Sequence, residues 1–256
     1  ALGRSTCQYR NQCKRGCPFG AYFSTQSATL PAARKTDNLT LVNNKIVYQV
    51  IFDKETDKAI GVKAIDEETN EEIEYFAKII FLNASAMNTA WIMMQSTSSK
   101  HANGLGNESD QLGRNIMDHH LNAGASGQFE GHEDKYFYGR RPNGIYIPRF
   151  ANWGDDKRDF LRGFGYQGGA GRGKGNPGST DATFGAAFKE AMSEPGGWNF
   201  GMTGFGETLP DPNNRIRLSD KKDKNGLPQI EFDAAWGDNE YKMRETIMKE
   251  AVDMLE

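Results

Sequence analysis

Cysteine is nearly absent from this chain of 256 residues: Cys7, Cys13 and Cys17 are the only three, and they crowd into one stretch. A disulfide framework is thereby excluded as the source of the fold, because one pairing leaves a thiol over and has little to staple. Histidine is also sparse, with four residues, and His101 is the nearest in sequence to the cysteines. No local Cys/His set therefore completes a tetrahedral zinc site. No apolar run approaches the roughly 20 residues that a membrane-spanning helix needs, and no signal-peptide pattern is visible. A net charge of −3 and the lack of any basic stripe interleaved with aromatics give no reason to expect a nucleic-acid partner.

Glycine, in contrast, is plentiful at 29 residues, which predicts tight turns and long connections rather than a helical bundle. With 37% hydrophobic residues the chain can bury one large core or two modest ones. It opens at Ala1-Leu2-Gly3-Arg4 without a methionine. It closes inside a predicted helix from about Asn239, whose Met243, Ile247, Ala251, Met254 and Leu255 share one face and which has no terminating glycine. Both ends are those expected of a segment of a longer protein.

A short helix containing Pro31 is predicted over 26–36. From Leu39 to Phe81 the pattern is a β-meander, with strands at 39–43, 45–53, 59–66, 71–76 and 78–83 and polar turns such as Asp53–Lys58. Its last strand is a continuous apolar run, Ile79-Ile80-Phe81-Leu82, the expectation for a central strand covered on both faces. Asn83-Ala84-Ser85-Ala86 follows, and small residues there let backbone approach a ligand before a helix over 87–95. A Gly- and Asn-rich connection from His101 to Asn115 predicts a domain boundary, giving domains 1–114 and 115–256. Beyond it the pattern predicts a helix near 181–193 and strands near 144–150, 199–206, 214–219 and 228–233.

The spacing Cys7-x5-Cys13-x3-Cys17-Pro18 leaves three readings open. Closely spaced thiolates hold iron–sulfur clusters, often with a proline after a ligand, and three thiolates suit a cluster lacking one corner iron. A zinc site needs a fourth ligand from elsewhere. Three small, half-buried residues in a turn are the plain alternative.

Around those cysteines, Cys17-Pro18-Phe19-Gly20-Ala21-Tyr22-Phe23-Ser24 followed by Leu30-Pro31-Ala32-Ala33 resembles a stretch of the glucose–methanol–choline (GMC) flavoprotein oxidoreductases. Further matches are Ile46-Val47-Tyr48-Gln49-Val50 leading to Ala59-Ile60-Gly61-Val62, then Leu82–Ala86, then Gln111-Leu112-Gly113-Arg114-Asn115-Ile116-Met117-Asp118-His119. Gly206-Glu207-Thr208-Leu209-Pro210 and Asn214–Leu218 look like late substrate-domain strands. Within the family the chain is most similar to sugar and polyol dehydrogenases that also carry an iron–sulfur cluster.

The resemblance implies an α+β fold: part of an FAD-binding domain, with β-meander and strand–helix turn, plus an antiparallel-sheet substrate domain with helices on one face. It implies FAD as cofactor, its adenosine portion touching Val47, Ala84, Ser85 and Ala86. Asn115 and His119 would lie where the chain crosses between domains near the flavin, and a structural role for His119 stands beside that. Cys7, Cys13 and Cys17 would hold a 3Fe–4S cluster. The activity implied is oxidation of the CH–OH group of a sugar, sugar acid or polyol. Hydride would pass to flavin N5, the histidine base would lie beyond Glu256, and an electron-transfer subunit, cytochrome or quinone would accept the electrons. The alternatives are a GMC oxidase or lyase with structural cysteines, and a non-catalytic binding module.

Several patterns are discounted. Gly163-Phe164-Gly165-Tyr166-Gln167-Gly168 fits G-x-G-x-x-G but runs into more glycine, so it cannot open a helix and the match is accidental, while Gly168–Lys174 is expected as a flexible loop near a substrate entrance. Gly168–Lys174 lacks the Ser/Thr of a phosphate loop, Gly175 standing in its place. Adjacent His119 and His120 on a strand would face opposite ways and make no metal pair. Sequons begin at Asn38, Asn83 and Asn107, with Asn83 at a predicted buried strand end where a glycan has no room.

Overall fold

In a computed structural model of the chain, residues 3–9, 13, 16–120, 122–135, 144–174, 180–181 and 183–256 are described. A π-helical turn, Thr25–Thr29, leads into α1 (Leu30–Arg34). Next come β1 (Lys45–Asp53), β2 (Lys58–Asp66), β3 (Glu72–Phe76), α2 (Ser85–Gln95), β4 (Gly124–Phe129) and β5 (Ile145–Pro148). The remainder is β6 (Phe164–Lys174), α3 (Gly185–Ser193), β7 (Pro195–Gly206), β8 (Arg215–Lys222), β9 (Pro228–Asp233) and α4 (Asp238–Asp253). The class is mixed α/β with antiparallel sheets and few helices. The chain divides into two units, each built from separate stretches: one of 1–40, 119–207 and 238–256, the other of 41–118 and 208–237.

In the second unit β1, β2 and β3 form an antiparallel meander in that order. Asp53 closes the first turn, its carboxylate accepting from the Glu55 N–H at 3.0 Å and the Thr56 hydroxyl at 2.6 Å. The free edge of β1 is stitched to the end of α2. Val50 donates its N–H to Ser96 Oγ at 2.8 Å, and Ser96 donates its hydroxyl to the Ile92 carbonyl at 2.7 Å. The Gln95 amide donates to the carbonyl of Tyr48, the residue at the β1 irregularity, at 3.2 Å. Strands β8 and β9 form a hairpin that also packs on α2.

In the first unit a four-stranded antiparallel sheet runs β4-β7-β6-β5, and α4 covers β4 and β7. Helical periodicity puts Met243, Ile247 and Ala251 of α4 against Ala123, Phe164, Tyr166 and Met202 in the core. Two glycines on one face of β7 permit that approach: a Cβ on Gly204 would strike Ile247, and one on Gly206 would strike Met243.

Three sequence expectations are corrected. Residues 39–43 are not a strand, nor are 78–83. Beyond one bond from the Ala77 N–H to the Ile60 carbonyl, 3.0 Å, no strand pairs with the latter run among the described residues. Ile79 and Phe81 are accordingly 71% and 79% exposed, and Asn83 is exposed rather than buried. Residues 168–174, expected as a flexible loop, belong to the long inner strand β6, because the glycine-rich backbone pairs with β7 along almost its whole length. Gly175 to Gly178 lie outside the described residues.

Candidate functional site

The meander, α2 and the β8–β9 hairpin enclose a cleft of about 570 Å³, within the range of small-molecule sites. Its floor is the start of β1, with Lys45, Ile46 and Val47. One wall is a single face of α2: Ala84, Asn88, Trp91 and Ile92 recur at intervals of four, three and one, the spacing of one helical stripe. The opposite wall is Asp223, Pro228, Gln229 and Ile230. The Trp91 indole N–H donates to the Pro228 carbonyl at 2.7 Å and joins the two walls.

The cleft has no spare positive charge. Lys45 Nζ lies 2.8 Å from Asp66, with both side chains largely covered. That hydrogen bond holds the Lys45 ammonium above its ordinary range and the Asp66 carboxyl below its own. Asp223 brings a carboxylate that accepts from the N–H groups of Asn225 at 2.8 Å and Leu227 at 2.9 Å. A pyrophosphate has nothing here to neutralise it, whereas a flat uncharged base with a polar edge meets apolar walls and two carboxamides. The residues therefore fit the adenosine end of FAD.

Val47 and Ala84 line this cleft together. Ala84 is the N-cap of α2 and supplies no side-chain acceptor, so it leaves the first helical N–H groups available to a ligand and adds little bulk beside them. Ser85, the first helical residue, has a left-handed backbone at φ 69°, a conformation that costs a non-glycine residue energy. Ser85 and Ala86 are exposed and do not line the cleft. Asn115, also left-handed at φ 57°, lies outside it and donates its side-chain amide to Gln111 at 3.4 Å.

His119 belongs to the other unit, where it bridges to Glu207 and meets the Phe205 ring edge-on at 5.7 Å. It is exposed whereas His120 is 0% exposed, so the two imidazoles do face opposite ways. Burial pushes the His120 imidazole below its ordinary range. The Glu240 carboxylate opposes that shift, and Arg244 and His119 reinforce it.

Cys7, Cys13 and Cys17 are each half-buried and unpaired with one another. Among the described residues no three Cys, His, Asp or Glu side chains come together as a metal-ligand set. Cys17 nevertheless has a thiolate-favouring surrounding: the Tyr22 N–H foremost, then those of Phe19, Ala21 and Gly20, hold its thiol below the ordinary range against desolvation.

Sequence reasoning missed Asn88, Trp91 and Ile92, although their helical register with Ala84 is a readable signal. It also missed Pro228, Gln229 and Ile230, for which no local pattern exists.

Residues 3–121 match the family described as GMC oxidoreductase, a stretch that contains Val47, Ala84 and all three cysteines. That stretch is similar to the GMC oxidoreductases. The chain is 27% identical over 90% of its length to the fructose dehydrogenase large subunit of Gluconobacter japonicus, covering 41% of that protein. It is 31% identical over 67% of its length to 2-methyl-1,2-propanediol dehydrogenase of Mycolicibacterium austroafricanum, covering 32% of that protein. The chain thus spans less than half the length of either relative. No described helix is long and apolar enough to cross a membrane.

Proposed function

We propose that this chain is part of an FAD-dependent oxidoreductase acting on the CH–OH group of a sugar, sugar acid or polyol. The observation that carries the reading is the joint placement of Val47 and Ala84, both in the stretch that matches GMC oxidoreductases, on one largely apolar cleft. Val47, Ile46, Ile92 and Ile230 would exclude water from the faces of the adenine, and Trp91 would form the end wall. Ala84 would let the ribose approach the backbone. When bound, FAD supplies a two-electron acceptor for hydride from the alcohol carbon. The dehydrogenase names of the two relatives support an alcohol or sugar substrate, and the subunit in the first name supports an electron-accepting partner.

The finer reading sends electrons from the flavin to a 3Fe–4S cluster on Cys7, Cys13 and Cys17. It rests on cysteine spacing and on the amide-lined Cys17 sulfur. The alternative reading is a GMC oxidase or lyase with structural cysteines.

Anaerobic purification of the full-length protein followed by visible spectroscopy tests both. Flavin bands bleached by sugars or polyols, and lost in an Ala84→Phe variant that fills the cleft, are expected. Iron and acid-labile sulfide accompanying the flavin support the cluster; flavin without iron supports the oxidase. A protein with no flavin overturns the proposal.

A further inference from the structure

Two carboxamides stand on opposite walls of the cleft, Asn88 from α2 and Gln229 from β9. Among the described residues the Asn88 side chain makes no hydrogen bond, and that of Gln229 makes one long bond, 3.4 Å to the Lys222 carbonyl. Both amides are thus available to a ligand, on walls that are themselves fixed.

The fixing is visible residue by residue. Trp91 anchors α2 to the first residue of β9 through its 2.7 Å bond to Pro228. Behind Pro228 the hairpin turn is knitted by Asp223, whose own N–H donates to the Leu227 carbonyl at 2.8 Å while its carboxylate accepts two N–H groups of the turn. Gly226 supplies the left-handed residue of that turn at φ 78°, and Leu227 is buried. A polar group on so constrained a turn is pre-positioned and selects by hydrogen-bond geometry rather than by adapting to whatever enters.

We infer that, on the reading of the cleft as the FAD adenosine site, Asn88 and Gln229 read the polar edge of adenine and make the β8–β9 hairpin a specificity element for the cofactor. A carboxamide presents an acceptor beside a donor, which matches the 6-amino group beside a ring nitrogen, the pairing by which Asn and Gln recognise adenine in nucleic acids. The two charged residues of the lining are already engaged, Lys45 with Asp66 and the Asp223 carboxylate with the N–H groups of Asn225 and Leu227.

The test is titration of the full-length apoprotein with FAD and with the FAD analogue that carries purine, without the 6-amino group, in place of adenine, followed by flavin fluorescence. The wild type is expected to bind FAD about tenfold more tightly than the analogue, the scale of one good amide–base pairing. Asn88→Leu combined with Gln229→Leu should weaken FAD to the level of the analogue and leave the analogue unchanged. Trp91→Phe, which keeps the ring and removes the N–H, should weaken FAD about fivefold with an unaltered circular dichroism spectrum, in line with loss of one hydrogen bond. Equal binding of the two dinucleotides by the wild type, or a preference that survives the double substitution, overturns the inference while FAD binding itself stands. Unchanged FAD binding in Trp91→Phe overturns the hairpin's part in it. Failure of the wild type to bind either dinucleotide overturns the underlying cofactor reading instead.

Discussion

The hydroxyl of Tyr166 donates to the backbone carbonyl of Ile247 at 2.7 Å, joining the glycine-rich strand β6 to helix α4 inside the core. Tyr166 is fully buried, and burial, with the Glu250 charge adding, pushes its phenol well above the ordinary range. It therefore remains a donor at every working pH. Tyr166→Phe removes this bond with little change of shape and should lower unfolding free energy by about 1 kcal/mol, measured by urea denaturation. A loss near zero would mean that water or the intrahelical bond compensates the Ile247 carbonyl.

Ser96 does two things at once, accepting from Val50 and donating to Ile92. Ser96→Ala leaves the Val50 N–H buried without its acceptor at the open edge of β1. The expected cost is about 2 kcal/mol, with faster amide exchange at Val50 than at its neighbours. Unchanged exchange at that amide would show the edge to be held by packing instead.

Glu250 accepts from Arg149 Nε and Arg158 Nη1, each at 2.7 Å, and its side chain is only 14% exposed. The hydrogen bonds that Arg158 donates to Asp156 and Glu250 hold its guanidinium above its ordinary range. Glu250→Leu leaves both arginines without this partner. Between the small value of a surface pair and the larger value of a buried one, the cost should be about 2 kcal/mol, seen as a lower melting temperature. Added salt should narrow the gap between wild type and variant; a gap independent of salt would argue for lost packing.

His120 gives the protein a pH dependence of definite sign. Its folded-state pKa lies below the ordinary value of about 6.5, because burial favours the neutral ring. The unfolded chain therefore binds the extra proton first as pH drops. The contribution is fully present above the ordinary histidine value and is lost as pH falls towards the folded one. Urea midpoints at pH 7.5 and 5.5 should differ more for the wild type than for His120→Gln. Equal differences would assign the acid sensitivity to carboxylates.

Much of the scaffold was legible because it is written in local periodicity. The alternation in 45–53 and 59–66 and the stripe Met243, Ile247, Ala251 each name an element and the face it buries, whatever it packs against. The run 78–83 failed the same reading. Its apolar side chains fit a covered strand, but a strand exists only where a neighbour pairs with it, and none of the described residues does so beyond Ala77.

Sequence alone determined the amphipathic elements, polar turns such as Asp53–Lys58, and the similarity of residues 3–121 to the GMC oxidoreductases, since these depend on side-chain spacing and short motifs along the chain. Tertiary structure decided that glycines 165 to 173 form an inner strand, because glycine has no strand preference of its own and becomes extended here by pairing with β7 beside a closely packed α4. It also decided that Gln229 and Asn88 share a cleft. Such meetings are fixed by long-range packing, which leaves no period in the sequence to read.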